Sequence, residues 1–292
     1  MSETASANVS RFLAIQADSQ PQSCAVMAPQ GRDSAGDIRY EKISFAELHA
    51  ESNQIAKGLL SSGVVKGTRV LLMVRPGSDL IRCCFALFKI GAVPVVIDPG
   101  MGLRHFLDCV RRTRPDALLG IPLAQWISRI FPGAFRSLKS RISVGSRFGA
   151  WYRNFPQGGI QVASCGPNDL AAILFTSGST GPPKGVCYGH GQFDAQVRLV
   201  RETFAIQPGE VDLPMLPVFA LFNPALGMTT VVPEINPGKP ATVRPERILQ
   251  AIRQCRVTNS FGAPVLWKKI VDYLDRSGSK SPTCPTLKRI LM

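Results

Sequence analysis

The feature that most constrains this chain is a ten-residue segment, residues 176–185, which reads Thr-Ser-Gly-Ser-Thr-Gly-Pro-Pro-Lys-Gly. Strand-like residues 171–175 precede it, and residues 186–188 follow it with the same character. Glycine lets the backbone turn its N–H groups toward an anion, while hydroxyl groups and Lys184 donate to phosphate oxygens. The segment therefore predicts a phosphate-binding loop, with a surface loop rich in serine and glycine as the alternative.

This segment does not match the sequence patterns of two common phosphate-binding loops. A Walker A loop ends in Gly-Lys-Ser/Thr, whereas Pro183 precedes Lys184 and Gly185 follows it. The dinucleotide pattern G-x-G-x-x-G does not occur in the chain. Both of those loops open a helix, but Pro182 and Pro183 remove two N–H donors and oppose a helical start. The loop is therefore predicted to connect two strands.

Length and composition limit the class of protein. The 292 residues are enough for one large domain or two small ones, and no apolar leader or membrane-spanning stretch is visible. The eight cysteines form no C-x-x-C pair, which is typical of a reducing, cytoplasmic compartment. The three histidines lack ligand spacing, so no metal site is predicted. The net charge of +14 is typical of a protein that binds a nucleic acid, an anionic membrane surface, or an anionic partner or ligand. It is also expected if an acidic remainder of the molecule is missing from this chain.

Strand-like and helix-like segments alternate through the first half of the chain. Ser44 and Glu47 form a capping-box pattern at the start of one helix. The predicted helices cover residues 45–63, 79–90 and 102–113, and the predicted strands cover residues 40–43, 69–74, 93–97 and 116–119. Residues 19–36 are predicted to be a loop with strand fragments. This alternation predicts an α/β fold with a parallel sheet between helices, in which ligands bind beyond the carboxyl ends of strands. Asp98-Pro99-Gly100 lies at one such end and is interpreted as an ordinary turn.

The predicted organisation has two subdomains. Residues 1–168 form the first, and residues 169–292 form a second that carries the phosphate loop. In the second, helices are predicted over residues 192–204, 245–255 and 265–274, and strands over residues 257–261 and 287–292.

A basic and aromatic segment, residues 121–168, interrupts the alternation. It holds six lysines or arginines, and no acidic residue occurs between Asp116 and Asp169. One interpretation is a solvated insertion whose aromatic side chains pack on the domain below. The other is a contact surface for a membrane or for other enzymes of the same pathway. A nucleic-acid surface is the weakest interpretation, because nothing in the segment resembles a nucleic-acid module.

Residues 176–185 resemble the phosphate-binding signature of the adenylate-forming superfamily, which includes acyl-CoA synthetases, luciferases and adenylation domains of peptide synthetases. Residues 44–74, 91–96 and 258–264 are similar to further family segments. The resemblance implies ATP and Mg²⁺ as cofactors, and the parallel-sheet subdomains of the family's N-terminal domain as the fold. It implies that Lys184 is catalytic and that the ATP phosphates are bound by Thr176, Ser177, Gly178, Ser179, Thr180, Gly181 and Lys184.

The resemblance also predicts part of an acyl site. Synthetases of the family often carry Pro-x-Phe-His, and here Pro217-Val218-Phe219 keeps the frame while Ala220 replaces the histidine. Phe219, Ala220 and Phe222 are therefore predicted to form an apolar wall, with ordinary core packing of the two phenylalanines as the alternative. His190 occupies the place of a family histidine, and we interpret it as a packing or capping residue.

Within the superfamily, residues 188–191, residues 217–228 and the basic segment resemble the β-lactone synthetases of bacterial olefin biosynthesis. This implies conversion of a long-chain 2-alkyl-3-hydroxy acid to a β-lactone. The alternatives are a long-chain fatty acyl-CoA synthetase and a non-catalytic nucleotide- or partner-binding module. Family members are longer, so we expect this chain to be the N-terminal part of a larger enzyme. The C-terminal cap domain and its lysine would then lie beyond Met292.

Overall fold

The computed structural model describes residues 6–176, 183–216, 220–235, 242–276 and 284–292. Contacts divide the chain into two compact units. Unit 1 combines the N-terminal residues up to Ala14 with Leu48–Leu199, and unit 2 combines Ile15–Glu47 with the residues from Val200 onward.

The described elements follow one another in a largely alternating order. In chain order they are α1 Arg11–Ser19, β1 Cys24–Arg32, β2 Ile38–Ser44, α2 Phe45–Ser61, β3 Arg69–Met73, α3 Ser78–Lys89, β4 Val93–Ile97, a 3₁₀ turn Pro99–Met101, α4 Leu103–Thr113, β5 Ala117–Gly120, α5 Pro122–Ile130, β6 Ser140–Ser143, α6 Phe148–Arg153, β7 Leu170–Thr176, β8 Lys184–Gly189, α7 His190–Thr203, β9 Val211–Asp212, α8 Asn223–Leu226, β10 Thr229–Val231, α9 Pro245–Gln254, β11 Asn259–Phe261, α10 Pro264–Arg276 and β12 Arg289–Leu291.

The sheet of unit 1 has the strand order β6-β5-β3-β4-β7-β8 in the described residues. Its neighbouring strands are parallel, apart from the antiparallel pair β7 and β8 at one edge. Alternate residues of β4, such as Val93 and Val95, enter one core together with Phe106 and Val110 of α4 and Ala124 of α5. Helices α4 and α5 therefore cover the same face of this sheet.

Helices α2, α3 and α7 pack on one another elsewhere in unit 1. The ring of Phe88 on α3 lies edge-on to His190 and tilted against Phe193 of α7. Cys83 and Cys84 on α3 are both buried, as the sequence predicts. Helix α3 is thus an interior helix, and it also carries a fully buried lysine, Lys89.

The sheet of unit 2 has the order β12-β11-β9-β10-β1-β2 in the described residues. Neighbouring strands of this sheet are parallel, apart from the antiparallel pair β1 and β2. Its core joins Ile38 and Val231 of the sheet to Ile252 of α9 and Trp267 of α10. Residues 19–36 were predicted to be a loop with strand fragments, but Cys24–Arg32 form one continuous nine-residue strand, β1, which is paired on both sides.

The compact units do not follow the predicted contiguous division at residue 168. Strand β7 pairs with β4, with Phe175 opposite Ile97, so the strands that flank the predicted phosphate loop belong to the sheet of unit 1. Strand pairing between segments distant in sequence sets this division, and local patterns carry no signal for it. The predicted α/β class, with helices packed on parallel sheets, is confirmed.

The basic segment is partly integrated into the sheet rather than inserted beside it. Strand β6 pairs with β5 at the sheet edge. Phe135, Phe148 and Tyr152 are buried, as the packing interpretation requires. Trp126 remains 65% exposed, so the packing interpretation does not cover all of the aromatic residues.

Candidate functional site

The predicted phosphate loop connects the two strands of an antiparallel hairpin. Strand β7 ends at Thr176 and β8 begins at Lys184, and these two residues lie directly opposite each other in the register. The predicted strand-to-strand connection is therefore confirmed, and Lys184 is exposed at the base of the loop. The remaining predicted phosphate ligands, Ser177, Gly178, Ser179, Thr180 and Gly181, lie outside the described residues.

The last glycine of the segment has a packing role. Gly185 pairs with Phe175, and a Cβ placed on Gly185 would lie 2.7 Å from Cζ of the Phe175 ring. A real Cβ does not tolerate that distance, so the ring occupies the space that a side chain would need. Glycine at this position lets the buried Phe175 ring pack over the start of β8, next to Lys184.

A turn follows β4 at the edge of the sheet where β7 ends. Ile97 of β4 pairs with Phe175, so Asp98 follows at the edge where β7 ends. Asp98 Oδ1 accepts a hydrogen bond from the Gly100 N–H at 2.8 Å, which forms the predicted turn. The carboxyl ends of β4 and β7 therefore meet at one edge of the sheet, where ligands of α/β proteins commonly bind.

Arg112 anchors the exit of the loop. Its Nη1 donates to the Pro183 carbonyl oxygen at 3.0 Å, one residue before Lys184. Sequence reasoning missed this contact, because the partners are 71 residues apart and a surface arginine near a helix end has no distinctive pattern. The contact adds a second cation to the base of the loop and restrains the backbone that carries Lys184.

His190 packs in the interior of unit 1 and does not line this edge as an ionisable group. It is fully buried, and its Nδ1 accepts the backbone N–H of Val9 at 3.2 Å, so the ring proton of the neutral form is on Nε2. Burial lowers the pKa of His190 from 6.5 to about 4. The predicted packing role fits these contacts.

The predicted acyl wall belongs to unit 2. Ala220 is buried, and its carbonyl accepts from Thr230 Oγ1 at 3.5 Å. Phe222 is half-buried just before α8, and Phe219 lies outside the described residues. These positions are compatible with either a wall or a core role.

A buried polar pair lies close to the wall in sequence. Asn223 Nδ2 donates to Asp212 Oδ2 at 2.8 Å, and burial raises the pKa of Asp212 from 3.8 to about 7. Sequence reasoning also missed this pair, since an aspartate at the end of a two-residue strand looks like a turn residue.

The described residues contain no cluster of three or more histidine, cysteine, aspartate or glutamate side chains that could hold a metal ion. The chemistry available at the loop base is cationic and hydrogen-bonding. Lys184 supplies a mobile charge, Arg112 a fixed guanidinium, and the strand ends backbone donors. This combination suits phosphate oxygens.

Comparisons with known proteins find relatives that match most of the chain. The chain is 42% identical over 275 residues to an olefin β-lactone synthetase of Xanthomonas campestris pv. campestris, covering 91% of the chain and 49% of that protein. It is 40% identical over 276 residues to an olefin β-lactone synthetase of Stenotrophomonas maltophilia, covering 91% of the chain and 50% of that protein. The chain thus spans about half the length of these relatives.

Solved structures show the same fold. A long-chain-fatty-acid-CoA ligase from Archaeoglobus fulgidus superposes with a TM-score of 0.82 at 19% identity, over 97% of this chain and 56% of that one. The N-terminal domain of FACL13 from Mycobacterium tuberculosis gives 0.79 at 18% identity, over 97% of this chain and 69% of that one. The model of the AMP-binding enzyme family matches residues 13–292. The chain therefore belongs to the AMP-binding enzyme family.

Proposed function

We propose that the protein containing this chain activates a long-chain 2-alkyl-3-hydroxy acid with ATP and closes it to a β-lactone. The observation that carries the proposal is the hairpin that sets Lys184 opposite Thr176 at the base of the phosphate-binding signature. The 40–42% identity to two olefin β-lactone synthetases supports the substrate class.

The first step needs stabilisation of charge rather than a covalent nucleophile. The substrate carboxylate attacks the α-phosphorus of ATP, forming a mixed anhydride with AMP and breaking the bond to pyrophosphate. Negative charge then develops on the departing group, and Lys184 with the loop hydroxyl and N–H groups would stabilise it. Arg112 would keep the loop exit in place through Pro183. Mg²⁺, when bound, would neutralise phosphate oxygens further.

The second step belongs mostly to the substrate itself. Its 3-hydroxyl oxygen attacks the activated carbonyl carbon, AMP leaves, and the hydroxyl proton is lost as the four-membered ring closes. An apolar wall at Ala220 and Phe222, in place of a histidine, suits a long alkyl chain. An acyl-CoA synthetase would instead transfer the acyl group to CoA.

The test is product analysis with the complete open reading frame that encodes the chain. We expect pyrophosphate release and a product lighter than the acid by one water, formed without CoA. Lys184→Ala should lower pyrophosphate release on the order of 100-fold, while the matched variant of an exposed helical lysine, Lys268→Ala, should behave as wild type. Because Lys184 is exposed, its variant should keep the wild-type circular dichroism spectrum and melting temperature.

Three outcomes would contradict the proposal. A product that forms only with CoA would identify an acyl-CoA synthetase. ATP binding without pyrophosphate release would identify a nucleotide-binding module. Unchanged release in Lys184→Ala would remove the role proposed for this lysine.

A further inference from the structure

Helix α5 exposes three large apolar side chains along a single stripe. Leu123, Trp126 and Ile130 are 63%, 65% and 63% exposed. Their spacing of three and four residues places them on one side of the helix. The opposite side of the helix holds Ala124 and Ser128, which are buried. The stripe is therefore additional to the residues that α5 needs for folding.

The neighbour of this apolar stripe in unit 1 is the outward side of helix α4. Helix α4 covers the same face of the sheet as α5, because Phe106 and Val110 share one core with Ala124. At the start of α4, Leu103 is 50% exposed and Arg104 is exposed. The outward sides of the two helices thus form one layer of mixed apolar and basic character, which we call the α4–α5 face.

The charged residues of the two helices themselves are mostly basic: α4 carries Arg104, Arg111 and Arg112 against Asp108, and α5 carries Arg129. Residues 103–153 contain ten lysines or arginines and two aspartates, a net charge of +8 out of the +14 of the whole chain. The two aspartates are engaged by Arg111 and Lys139. Seven of the basic residues form no ion pair within the described part of the chain, namely Arg104, Arg112, Arg114, Arg129, Arg136, Arg141 and Arg147. Arg141 and Arg153 do not belong to the outward surface, because Arg141 Nε donates at 3.2 Å to Oγ of Ser128 on the buried side of α5, and Arg153 pairs with Glu51 of α2.

We propose that the α4–α5 face docks on the surface of a bilayer that contains anionic lipid, with Leu123, Trp126 and Ile130 entering the headgroup region. Arg104 and Arg129, exposed on the two helices, complement the lipid charge, and the apolar stripe gains burial that a purely electrostatic partner cannot supply. Tryptophan favours this interface because its ring is apolar and its N–H is polar. A nucleic acid would use the arginines but leave Leu123 and Ile130 in water. No described helix is long and apolar enough to traverse a bilayer, so the contact would be peripheral.

The experiment is co-sedimentation of the complete protein with two kinds of vesicle, phosphatidylcholine alone and phosphatidylcholine with about one third phosphatidylglycerol. We expect binding to the anionic vesicles that falls several-fold as salt rises from about 50 to about 300 mM. The triple variant Leu123→Ser/Trp126→Ser/Ile130→Ser should lower the partition coefficient about ten-fold or more. Leu199→Ser, at a leucine of α7 that is 59% exposed, is the matched control and should bind as wild type.

Tryptophan fluorescence separates this face from other contacts. Of the three tryptophans, Trp126 is much more exposed than the buried Trp267 and the half-buried Trp151. Anionic vesicles should therefore shift the emission to the blue, and the shift should be absent in Trp126→Phe even if that variant still binds.

Several results would overturn the proposal. These are no vesicle binding at all, equal binding of the triple variant, or a wild-type dimer that the triple variant loses, since the last result would make a second copy the occupant. If single-stranded DNA retains the protein, the serine substitutions do not change that retention, and vesicles do not bind, the partner of the face would be a nucleic acid.

The docking test is independent of the proposed reaction. Pyrophosphate release by the triple variant in the absence of vesicles should stay at the wild-type level.

Discussion

Individual residues show why composition is a poor guide to the role of a charged side chain in this chain. Lys184 and Lys89 are both lysines at a strand or helix terminus, but one is exposed at the loop base and the other is 1% exposed. Lys89 Nζ donates to the His49 carbonyl at 2.9 Å, to Ser52 Oγ at 2.7 Å and to Asn53 Oδ1 at 2.6 Å. These contacts join α3 to α2 through one buried amine.

Lys89 makes the stability of the protein depend on pH. Burial lowers its pKa from 10.5 to about 7, even though three oxygens accept from the amine. Between those values the folded protein binds fewer protons than the unfolded chain, so the free energy of unfolding should rise with pH from about 7 to about 10. The contribution of this one group approaches about 1.4 kcal/mol per pH unit at most.

The measurement is urea unfolding of wild type and Lys89→Met, in reducing buffer, at several pH values across that window. The difference between the two unfolding free energies should grow with pH, because methionine has no proton to bind. Lys268→Met, at an exposed lysine, should retain the slope of wild type. Equal slopes in wild type and Lys89→Met would mean that Lys89 remains charged in the folded protein.

At the scale of elements, local sequence patterns predicted most helices and strands but not how they pair. The apolar run of β4 and the capping box of Ser44 and Glu47 are local signals, and the structure confirms both, with Glu47 Oε2 accepting the Ser44 N–H at 2.8 Å. Only strand fragments were predicted where β1 runs without a break, because Pro29 and Gly31 resemble loop residues. Its strand conformation depends on pairing with β2 and β10, which no local pattern records.

The candidate site divides in the same way between local and long-range information. The ordered string of residues 176–185 was enough to predict a strand-to-strand phosphate loop, since loop chemistry is encoded in consecutive residues. The anchor at Arg112 and the packing of Phe175 on Gly185 depend on the folded arrangement of the β7–β8 hairpin and α4. Contacts of this kind become visible only once the register is known.

The hairpin gives an element-scale prediction. Gly185→Ala should displace the Phe175 ring and lower the free energy of unfolding by about 1–3 kcal/mol. Gly185→Ala should lower the free energy of unfolding less in a Phe175→Leu protein than in wild type, because leucine leaves room for the methyl group. Urea unfolding of the four proteins forms a double-mutant cycle.

Gly166→Ala is the control for that cycle, since a Cβ there meets no atom within 4 Å. It should change stability by no more than a few tenths of a kcal/mol. A Gly185→Ala protein as stable as wild type, or effects that simply add in the double variant, would show that the ring and the glycine do not constrain each other.

At the scale of the whole molecule, each compact unit carries its own mostly parallel sheet with one antiparallel edge pair. The two parts of the predicted site follow this division, with the loop base in unit 1 and the acyl wall in unit 2. The chain also spans only about half the length of the synthetases it resembles.

This arrangement predicts that the 292-residue chain folds but does not complete the reaction. The chain matches about half the length of two olefin β-lactone synthetases, and the residues predicted for its site include none for adenine or ribose. The chain expressed alone should therefore release no pyrophosphate from ATP and a 3-hydroxy acid above the level of its own Lys184→Ala variant. The complete reading frame, assayed in parallel, should be active. A cooperative thermal transition of the isolated chain would show that it is folded in this assay, and pyrophosphate release above the Lys184→Ala level would mean that these 292 residues hold the whole adenylation site.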